Sequence, residues 1–440
     1  MNTPRLTVIG TGYLGATHAI CMAVLGFEVL GVDVDQAKID RLASGEVPFF
    51  EPGLPELLAK ALESGRLRFT TSFQEAAEFG DVHFICVGTP QKQGSHAADM
   101  TYVDASVSAL AAHLTRKALV VGKSTVPVGT AARLTALVKE LAPAGDEVEL
   151  AWNPEFLREG FAVEDTMKPD RLVFGVASAW AEERLRAAFE PVLAQGVPVK
   201  VTDLATAELV KVAANSFLAT KISYINAMAE VCEATGADVH DLAEALAFDT
   251  RIGGRFLRPG LGFGGGCLPK DIRAFMARAE ELGVGQAVGF LREIDGINQR
   301  RRARTVDLVT ELAGGDVAGK RIAALGAAFK PNSDDIRDAP ALDVASTLHR
   351  LGARVTVFDP AAMENAKRVH PELSYGESAL DAARDADVVV LLTEWTEFRE
   401  IDPAAMAAVV AGPSIVDGRH ALDPAEWRAA GWEYRALGRP

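Results

Sequence analysis

The stretch Thr7-Val-Ile-Gly10-Thr-Gly12-Tyr13-Leu14-Gly15 is followed by an apolar run from Ala16 to Leu25, a glycine at Gly26, and then Glu28-Val-Leu-Gly-Val-Asp33. Read in order, this is a short apolar strand, a Gly-x-Gly-x-x-Gly turn, a helix, and a second strand that ends on an acid. A glycine-rich turn alone is common. One that follows a strand, opens a helix and has an acid about 20 residues further on is a dinucleotide-binding unit. The pyrophosphate would lie on the helix N-terminus, where free N–H groups and the helix dipole favour an anion. Asp33 would accept from the ribose hydroxyls and repel a 2′-phosphate, so NAD is expected rather than NADP. Gly10, Gly12, Tyr13, Leu14, Gly15 and Asp33 are the cofactor residues this spacing predicts.

Working outward, strands are expected at Asp81-Val-His-Phe-Ile-Cys-Val87 and Ala118-Leu-Val-Val121. They run into small polar loops, Gly88-Thr89-Pro90 and Lys123-Ser124-Thr125. Loops after the carboxyl ends of parallel strands line the cofactor crevice, so Val87, Gly88, Thr89, Pro90, Ser124 and Thr125 join the set. Gln91 to Asp99 reads as a mobile surface loop. From Val199 to Thr235 there is no Pro or Gly, and Gly236 closes the run. With Thr202 or Asp203 as N-cap, this predicts one helix ~45 Å long, able to connect two domains and supply a dimer contact. Strand–helix–strand alternation resumes at Lys320 to Gly326, Arg354 to Phe358, Asp387 to Leu392 and Ser414 to Asp417, without a glycine fingerprint. The expected fold class is α/β, with two Rossmann-like doubly wound domains joined by a long central helix. The expected divisions are residues 1–198 for the NAD-binding domain, 199–300 for a central helical dimerisation region, and 317–440 for a Rossmann-like domain with another ligand.

A chain of 440 residues exceeds one small core, which agrees with several domains. Its net charge of −15 disfavours nucleic acid, so an anionic ligand needs a local basic site. No apolar run approaches the ~18 residues of a membrane span, and the first residues enter a strand without a signal-peptide pattern. A cytoplasmic protein with no membrane partner is expected. Cys21, Cys86, Cys232 and Cys267 form no C-x-x-C pair and the histidines no H-x-x-x-H pair, so neither a disulfide framework nor a metal centre is expected.

The reactive chemistry concentrates in Gly260-Leu261-Gly262-Phe263-Gly264-Gly-Gly-Cys267-Leu-Pro-Lys-Asp271. Such a glycine run lets backbone approach a ligand closely. Pro269 fits the first turn of a helix, where its missing N–H costs nothing. That puts Cys267 just before a helix N-terminus, where the dipole favours a thiolate. Asp271, four residues on, would lie on the thiol side of the same turn. The bland alternative is a buried cysteine beside a flexible loop; the glycines, the helix start and the carboxylate favour a nucleophile. Arg251, Arg255 and Arg258 recur at i, i+4 and i+7 just before this loop. On one face they would clamp a phosphate or diphosphate; otherwise they are an ordinary basic turn. Trp152-Asn-Pro-Glu155-Phe156-Leu157-Arg158-Glu159-Gly160 sets two glutamates four apart, and Lys211 and Asn215 lie one helical turn apart. Taken alone, each of these also reads as a solvated residue.

Together these residues resemble the UDP-glucose/GDP-mannose dehydrogenase family, and its UDP-glucose branch in particular. The fingerprint with Asp33 and Lys38, and the segments STVP, NPEFLREG, AELVKVAANSFLATKIS, RIGGRFLRPGLGFGGGCLPKD and FKPNSDDIRDAP, stand in family order over nearly the whole chain. The resemblance implies NAD-dependent four-electron oxidation of UDP-glucose at C6 to UDP-glucuronate, through a thiohemiacetal and a thioester on Cys267. It implies Lys211 and Asn215 at the developing oxyanion, Asp271 and a water positioned by Thr125 for protons, and Glu155 as base for thioester hydrolysis. Lys38, Glu159 and Arg337 match cofactor positions. For the sugar nucleotide it implies the Glu155, Phe156, Leu157, Arg158 and Glu159 loop, then Lys211, Asn215 and Arg251. It adds the backbone from Arg258 through Leu261, Gly262 and Phe263 to Gly264, then Phe329, Lys330 and Arg419. It also implies a homodimer or higher homo-oligomer. Two positions depart from the family's usual pattern: Gly266 where Ser is common, and Leu268 where Phe is common.

Sister enzymes acting on GDP-mannose or a UDP-N-acetylhexosamine share the Cys, Lys and Asp. Arg251-Ile-Gly253 and Asp335-Ile-Arg-Asp338 look more like the UDP-glucose branch. A two-electron hydroxyacid dehydrogenase shares the fingerprint and a lysine on a long helix, but has no use for Cys267. A non-catalytic NAD-responsive protein would not need the reacting residues, all of which are here.

Overall fold

The dinucleotide reading holds in the backbone. The computed structural model describes residues 3–439. Its first sheet contains β1 (Leu6–Ile9), β2 (Val29–Val32), β3 (Leu67–Thr70), β4 (Val82–Ile85), β5 (Ala118–Gly122), β6 (Val148–Trp152), β7 (Leu172–Gly175) and β8 (Val199–Thr202). The strand order is β3-β2-β1-β4-β5-β6-β7-β8, parallel throughout except for the β6–β7 pair. The first six strands follow the doubly wound order, with its switch point between β1 and β4. Strand residues alternate between two cores: Leu6, Val8, Val82 and Phe84 face one, while Ile9 and Ile85 face the other. Both faces are covered, as a parallel sheet requires, which is why these strands read as continuous apolar runs.

The second sheet holds β9 (Arg321–Leu325), β10 (Arg354–Phe358), β11 (Ser374–Tyr375), β12 (Val388–Leu391), β13 (Ser414–Asp417) and β14 (Glu433–Ala436). Its order, β11-β10-β9-β12-β13-β14, repeats that of the first six strands. The expected α/β class with two doubly wound sheets is therefore what the chain adopts. The chain divides into two compact units, one of residues 3–214 with Arg273–Gly285, the other of Asn215–Ile272 with residues 286–439.

A helix of 32 residues, Leu204–Thr235, runs from the first unit into the second. Asp203 Oδ1 accepts from Thr206 N at 2.8 Å, so the expected cap forms. The helix after the fingerprint spans Tyr13–Val24, three residues earlier than its apolar run suggests, because Gly12 is already its N-cap. Gln91 to Asp99 folds back on itself, with Lys92 N on Ala97 O at 2.8 Å and Asp99 N on Pro90 O at 2.8 Å. Among the described residues no helix is long and apolar enough to cross a membrane.

Candidate active site

In the first unit the glycine turn divides its roles as a pyrophosphate cradle should. Gly10 has φ +89°, and a Cβ there would lie 2.7 Å from Val87 Cγ1. A Cβ at Gly15 would lie 1.8 Å from Gly10 O, so only glycine lets helix and strand meet. In front of Gly12 nothing lies within 4 Å, which leaves open space at the helix N-terminus. These residues fit a dinucleotide. Asp33 closes β2, with Oδ2 accepting from Thr11 N at 2.8 Å and Lys38 Nζ at 2.9 Å. Burial pushes its pKa up, but the Lys38 ammonium and the N–H groups of Thr11 and Asp35 outweigh that, and its carboxyl is held below the usual range. The loops after β4 and β5 are tied together: Ser124 Oγ donates to Val87 O at 2.6 Å, and Thr89 Oγ1 to Thr125 O at 2.8 Å. Gly88 and Pro90 are exposed beside them.

The loop after β6 carries Glu155 without forming a helix. Lys211 Nζ pairs with Glu155 Oε1 at 2.9 Å, and the two side chains are only 6% and 14% exposed. Glu155 Oε2 also accepts from Leu157 N at 2.6 Å. Phe156 lies under the Arg171 guanidinium at 3.8 Å and near Lys211 Nζ at 5.6 Å. Arg158 is held by Asp165. Sequence reasoning had no signal that Lys211 and Glu155 form one buried pair, and it missed Arg171 altogether.

In the second unit Cys267 is exposed and immediately precedes the helix Leu268–Glu281, with Pro269 in its first turn. Asp271 N bonds Cys267 O at 2.9 Å, but the Asp271 carboxylate is 2% exposed and turns to Asn215 Nδ2 and Lys270 Nζ, both at 2.6 Å. The glycine loop is gripped from its own unit. Asn298 Oδ1 accepts from Phe263 N at 2.7 Å and its Nδ2 donates to Phe263 O at 2.8 Å. Gly262, at φ +99°, has room only for hydrogen, since a Cβ would lie 2.3 Å from Asn298 Oδ1. Asn226 Oδ1 accepts from Gly260 N beside Leu261. Gly264 fits against Asp338 O, and Arg302 reaches Phe263 O at 3.2 Å and Asp338 Oδ1 at 2.9 Å. Neither Asn298 nor Arg302 stood out in the sequence, because long-range bonds to backbone leave no local pattern.

Arg419 donates to Leu392 O, Gly262 O and Phe329 O, so much of its guanidinium is spent on holding loops. Lys330 Nζ lies over the Phe329 ring at 5.4 Å. Arg337 forms a fork with Asp335 and lies against Gly266, where a Cβ would come within 2.3 Å of Arg337 Cζ. The glycine that departs from the family pattern thus admits this guanidinium. The expected helical face of three arginines does not form. Residues 248–267 contain no helix, so Arg251, Arg255 and Arg258 do not line up on a helical face. All three are exposed, and Arg251 is bound bidentately by Asp249 two residues back. A turn with Gly253 and Gly254 broke the period.

Three family descriptions match consecutive parts of the chain: the UDP-glucose/GDP-mannose dehydrogenase family NAD binding domain over residues 4–193, its central domain over 205–300, and its UDP binding domain over 323–424. The chain belongs to the UDP-glucose/GDP-mannose dehydrogenase family. A UDP-glucose 6-dehydrogenase of Rhizobium meliloti is 42% identical over 438 residues, covering 99% of this chain and 100% of the relative. One from Bacillus subtilis is 40% identical over 436 residues, covering 99% and 98%. The solved UDP-glucose dehydrogenase of Pyrobaculum islandicum matches with a TM-score of 0.92 at 37% identity, over 100% of this chain and 98% of that one. A UDP-D-ManNAc dehydrogenase of Pyrococcus horikoshii matches with 0.87 at 26% identity, over 99% of each.

Proposed function

We propose that this chain oxidises the C6 alcohol of UDP-glucose to the carboxylate of UDP-glucuronate, with two molecules of NAD as hydride acceptors. The observation that carries the reading is Cys267, exposed at the start of its helix after a glycine loop held by side chains of its own unit. Oxidation of an alcohol to an acid needs a nucleophile that holds the aldehyde between two hydride departures. NAD, when bound, accepts each hydride. C6 loses a hydride and its hydroxyl a proton, giving the aldehyde. The Cys267 thiolate adds to that carbon, and the thiohemiacetal, as its alkoxide, loses a second hydride to become a thioester. Water cleaves the thioester, releasing the carboxylate and returning the thiol. Lys211 and Asn215 act at the developing oxyanion, Asp271 and a water on Thr125 handle protons, and Glu155 activates the hydrolytic water. Glu159 and Arg337 order the cofactor site. UDP-glucose is preferred to a UDP-N-acetylhexosamine because relatives named for it share 37–42% identity, against 26% for the UDP-D-ManNAc enzyme.

The protein works as a homodimer in this reading. Phe217, Tyr224 and Val231 recur at seven-residue spacing on the long helix and are 66%, 49% and 52% exposed. A heptad stripe of that kind calls for a second helix. All four cysteines lie outside disulfides, which suits the reducing cytoplasm. The test is NADH formed per UDP-glucose consumed, in wild type and Cys267→Ala. Two NADH per sugar, with turnover lost in the variant, is the expected result. One NADH per sugar would indicate a simple alcohol dehydrogenase. Turnover only with GDP-mannose or a UDP-N-acetylhexosamine would keep the chemistry and change the sugar.

A further inference from the structure

Glu51, in Phe49-Phe-Glu-Pro-Gly53, has no part in that chemistry and is 3% exposed. Its Oε2 accepts from the Tyr13 hydroxyl in a short bond and from Gly160 N at 2.7 Å. Its Oε1 accepts from Ala162 N at 2.7 Å and Val163 N at 3.4 Å. The Tyr13 hydroxyl itself accepts from Gly160 N at 3.1 Å, and its ring leans on Phe49 with centroids 4.9 Å apart. Burial and the neighbouring Glu51 carboxylate raise the Tyr13 pKa far above its ordinary value, so the phenol stays a donor. Every donor to this buried carboxylate is neutral. A charge kept out of water without a cation needs all of those donors in place. Tyr13 opens the fingerprint helix, and Gly160 closes the loop that carries Glu155 and Glu159. That loop has no regular secondary structure from residue 153 to 158, so side-chain bonds join the few backbone ones, such as Asn153 N on Gly122 O, in fixing where it lies.

We propose that Glu51 is a positioning residue that locks the Glu155–Gly160 loop to the cofactor turn, so that cofactor binding and the placement of Glu155 depend on one carboxylate. This rests on the reading that the turn binds NAD and that Glu155 acts in turnover. Glu51→Gln keeps the shape but turns one acceptor oxygen into an NH2 that must face a backbone N–H. Tyr13→Phe removes a single donor.

The experiment uses the full-length enzyme and follows two readouts, NADH affinity by fluorescence titration and turnover at saturating NAD and UDP-glucose. Glu51→Gln is expected to lower kcat by about tenfold or more, because a loop displaced by a fraction of an ångström loses its reacting geometry. It is also expected to weaken NADH binding measurably, and Tyr13→Phe to shift both readouts the same way by less. In a Glu155→Gln background, Glu51→Gln should add less than about threefold to the loss in kcat, since both changes disable one loop. A Glu51→Gln protein that melts earlier but keeps wild-type kcat and NADH affinity would overturn the proposal. So would a full, additive loss in the Glu155→Gln background. Should Glu51→Gln not fold, wild-type behaviour of Tyr13→Phe in both readouts would overturn it instead. If the wild type turns over no UDP-glucose, the functional reading fails, while the NADH titrations still decide the link between Glu51 and the cofactor turn.

Discussion

The Lys211–Glu155 pair has both a structural and a proposed chemical role. Both ends are nearly buried, so removing Glu155 takes away the carboxylate that, away from water, meets the Lys211 ammonium at 2.9 Å. Glu155→Ala should therefore destabilise the protein by about 3–5 kcal/mol in urea unfolding. The double change Lys211→Met with Glu155→Leu should recover most of that stability while leaving the enzyme inactive. A protein whose double variant is no more stable than Glu155→Ala would show that the pair's charge is not the cause. His83 supplies a pH dependence. It is fully buried, its Nδ1 meets Thr7 Oγ1 at 2.7 Å, and burial with the nearby Arg116 pushes its pKa from the ordinary 6.5 down to about 3. As pH falls below about 6.5 the unfolded chain takes up the proton first, so native stability drops, by up to ~1.4 kcal/mol per pH unit. The loss continues to about pH 3, where the folded form protonates as well. His18 is fully buried and shifted in the same direction, so it adds to the same slope. In His83→Gln the slope of unfolding free energy between pH 6 and 4 should be shallower by about one proton's worth. An unchanged slope would mean that His83 is protonated in the native protein.

Among the elements, the two sheets repeat more than strand order. Arg5 N bonds Asp81 Oδ2 at 3.0 Å, and Arg321 N bonds Asp387 Oδ2 at 2.8 Å, at the same place between first and fourth strands. Gly10 (φ +89°) and Gly326 (φ +121°) make the same turn after the first strand, closed by Val87 and Thr393. Asp33 and Asp359 end the second strand, and each reaches back to that turn. The surroundings of the two carboxylates differ. Asp33 keeps Lys38 for company and faces a glycine turn with open space at Gly12. Asp359 Oδ2 is taken by Ala327 N, Ala328 N and the Trp395 indole, at 2.8, 3.0 and 3.1 Å. Its Oδ1 is taken by Ala361 N and Ala362 N, both at 2.9 Å. One NAD per chain is thus the expected stoichiometry in calorimetry. Gly15→Ala should abolish that binding, because its Cβ would lie 1.8 Å from Gly10 O. Asp359→Asn should leave NAD affinity unchanged while costing about 1–3 kcal/mol of stability. Two NAD per chain would show that the second sheet binds the dinucleotide as well.

For the whole molecule, the prediction concerns assembly. On the proposed homodimer, replacing Phe217 and Val231 by Glu puts two charges into the exposed stripe of the long helix and should give monomers in sedimentation or light scattering. An unchanged oligomer would place the interface elsewhere. The sequence by itself determined what local spacing can encode. The glycine turn and Asp33, the apolar strands, the cap at Asp203, and Cys267 at a helix start all come from neighbours within a few residues or from a fixed period. Periodicity also misled where it was not helical, as with Arg251, Arg255 and Arg258, whose turn glycines reset the direction of the chain. The strands β11 and β14 passed unnoticed, because Ser374-Tyr375 and Glu433-Tyr-Arg-Ala436 lack the continuous apolar run that marks β1 and β12. Only the tertiary structure decided which polar groups meet. Glu51 with Tyr13 and Gly160, Lys211 with Glu155, Asn215 with Asp271, and Asn298 on both sides of Phe263 join residues far apart in the chain. Such pairs form because a buried donor or acceptor without a partner is expensive, and the fold alone determines which distant partner comes within 3 Å.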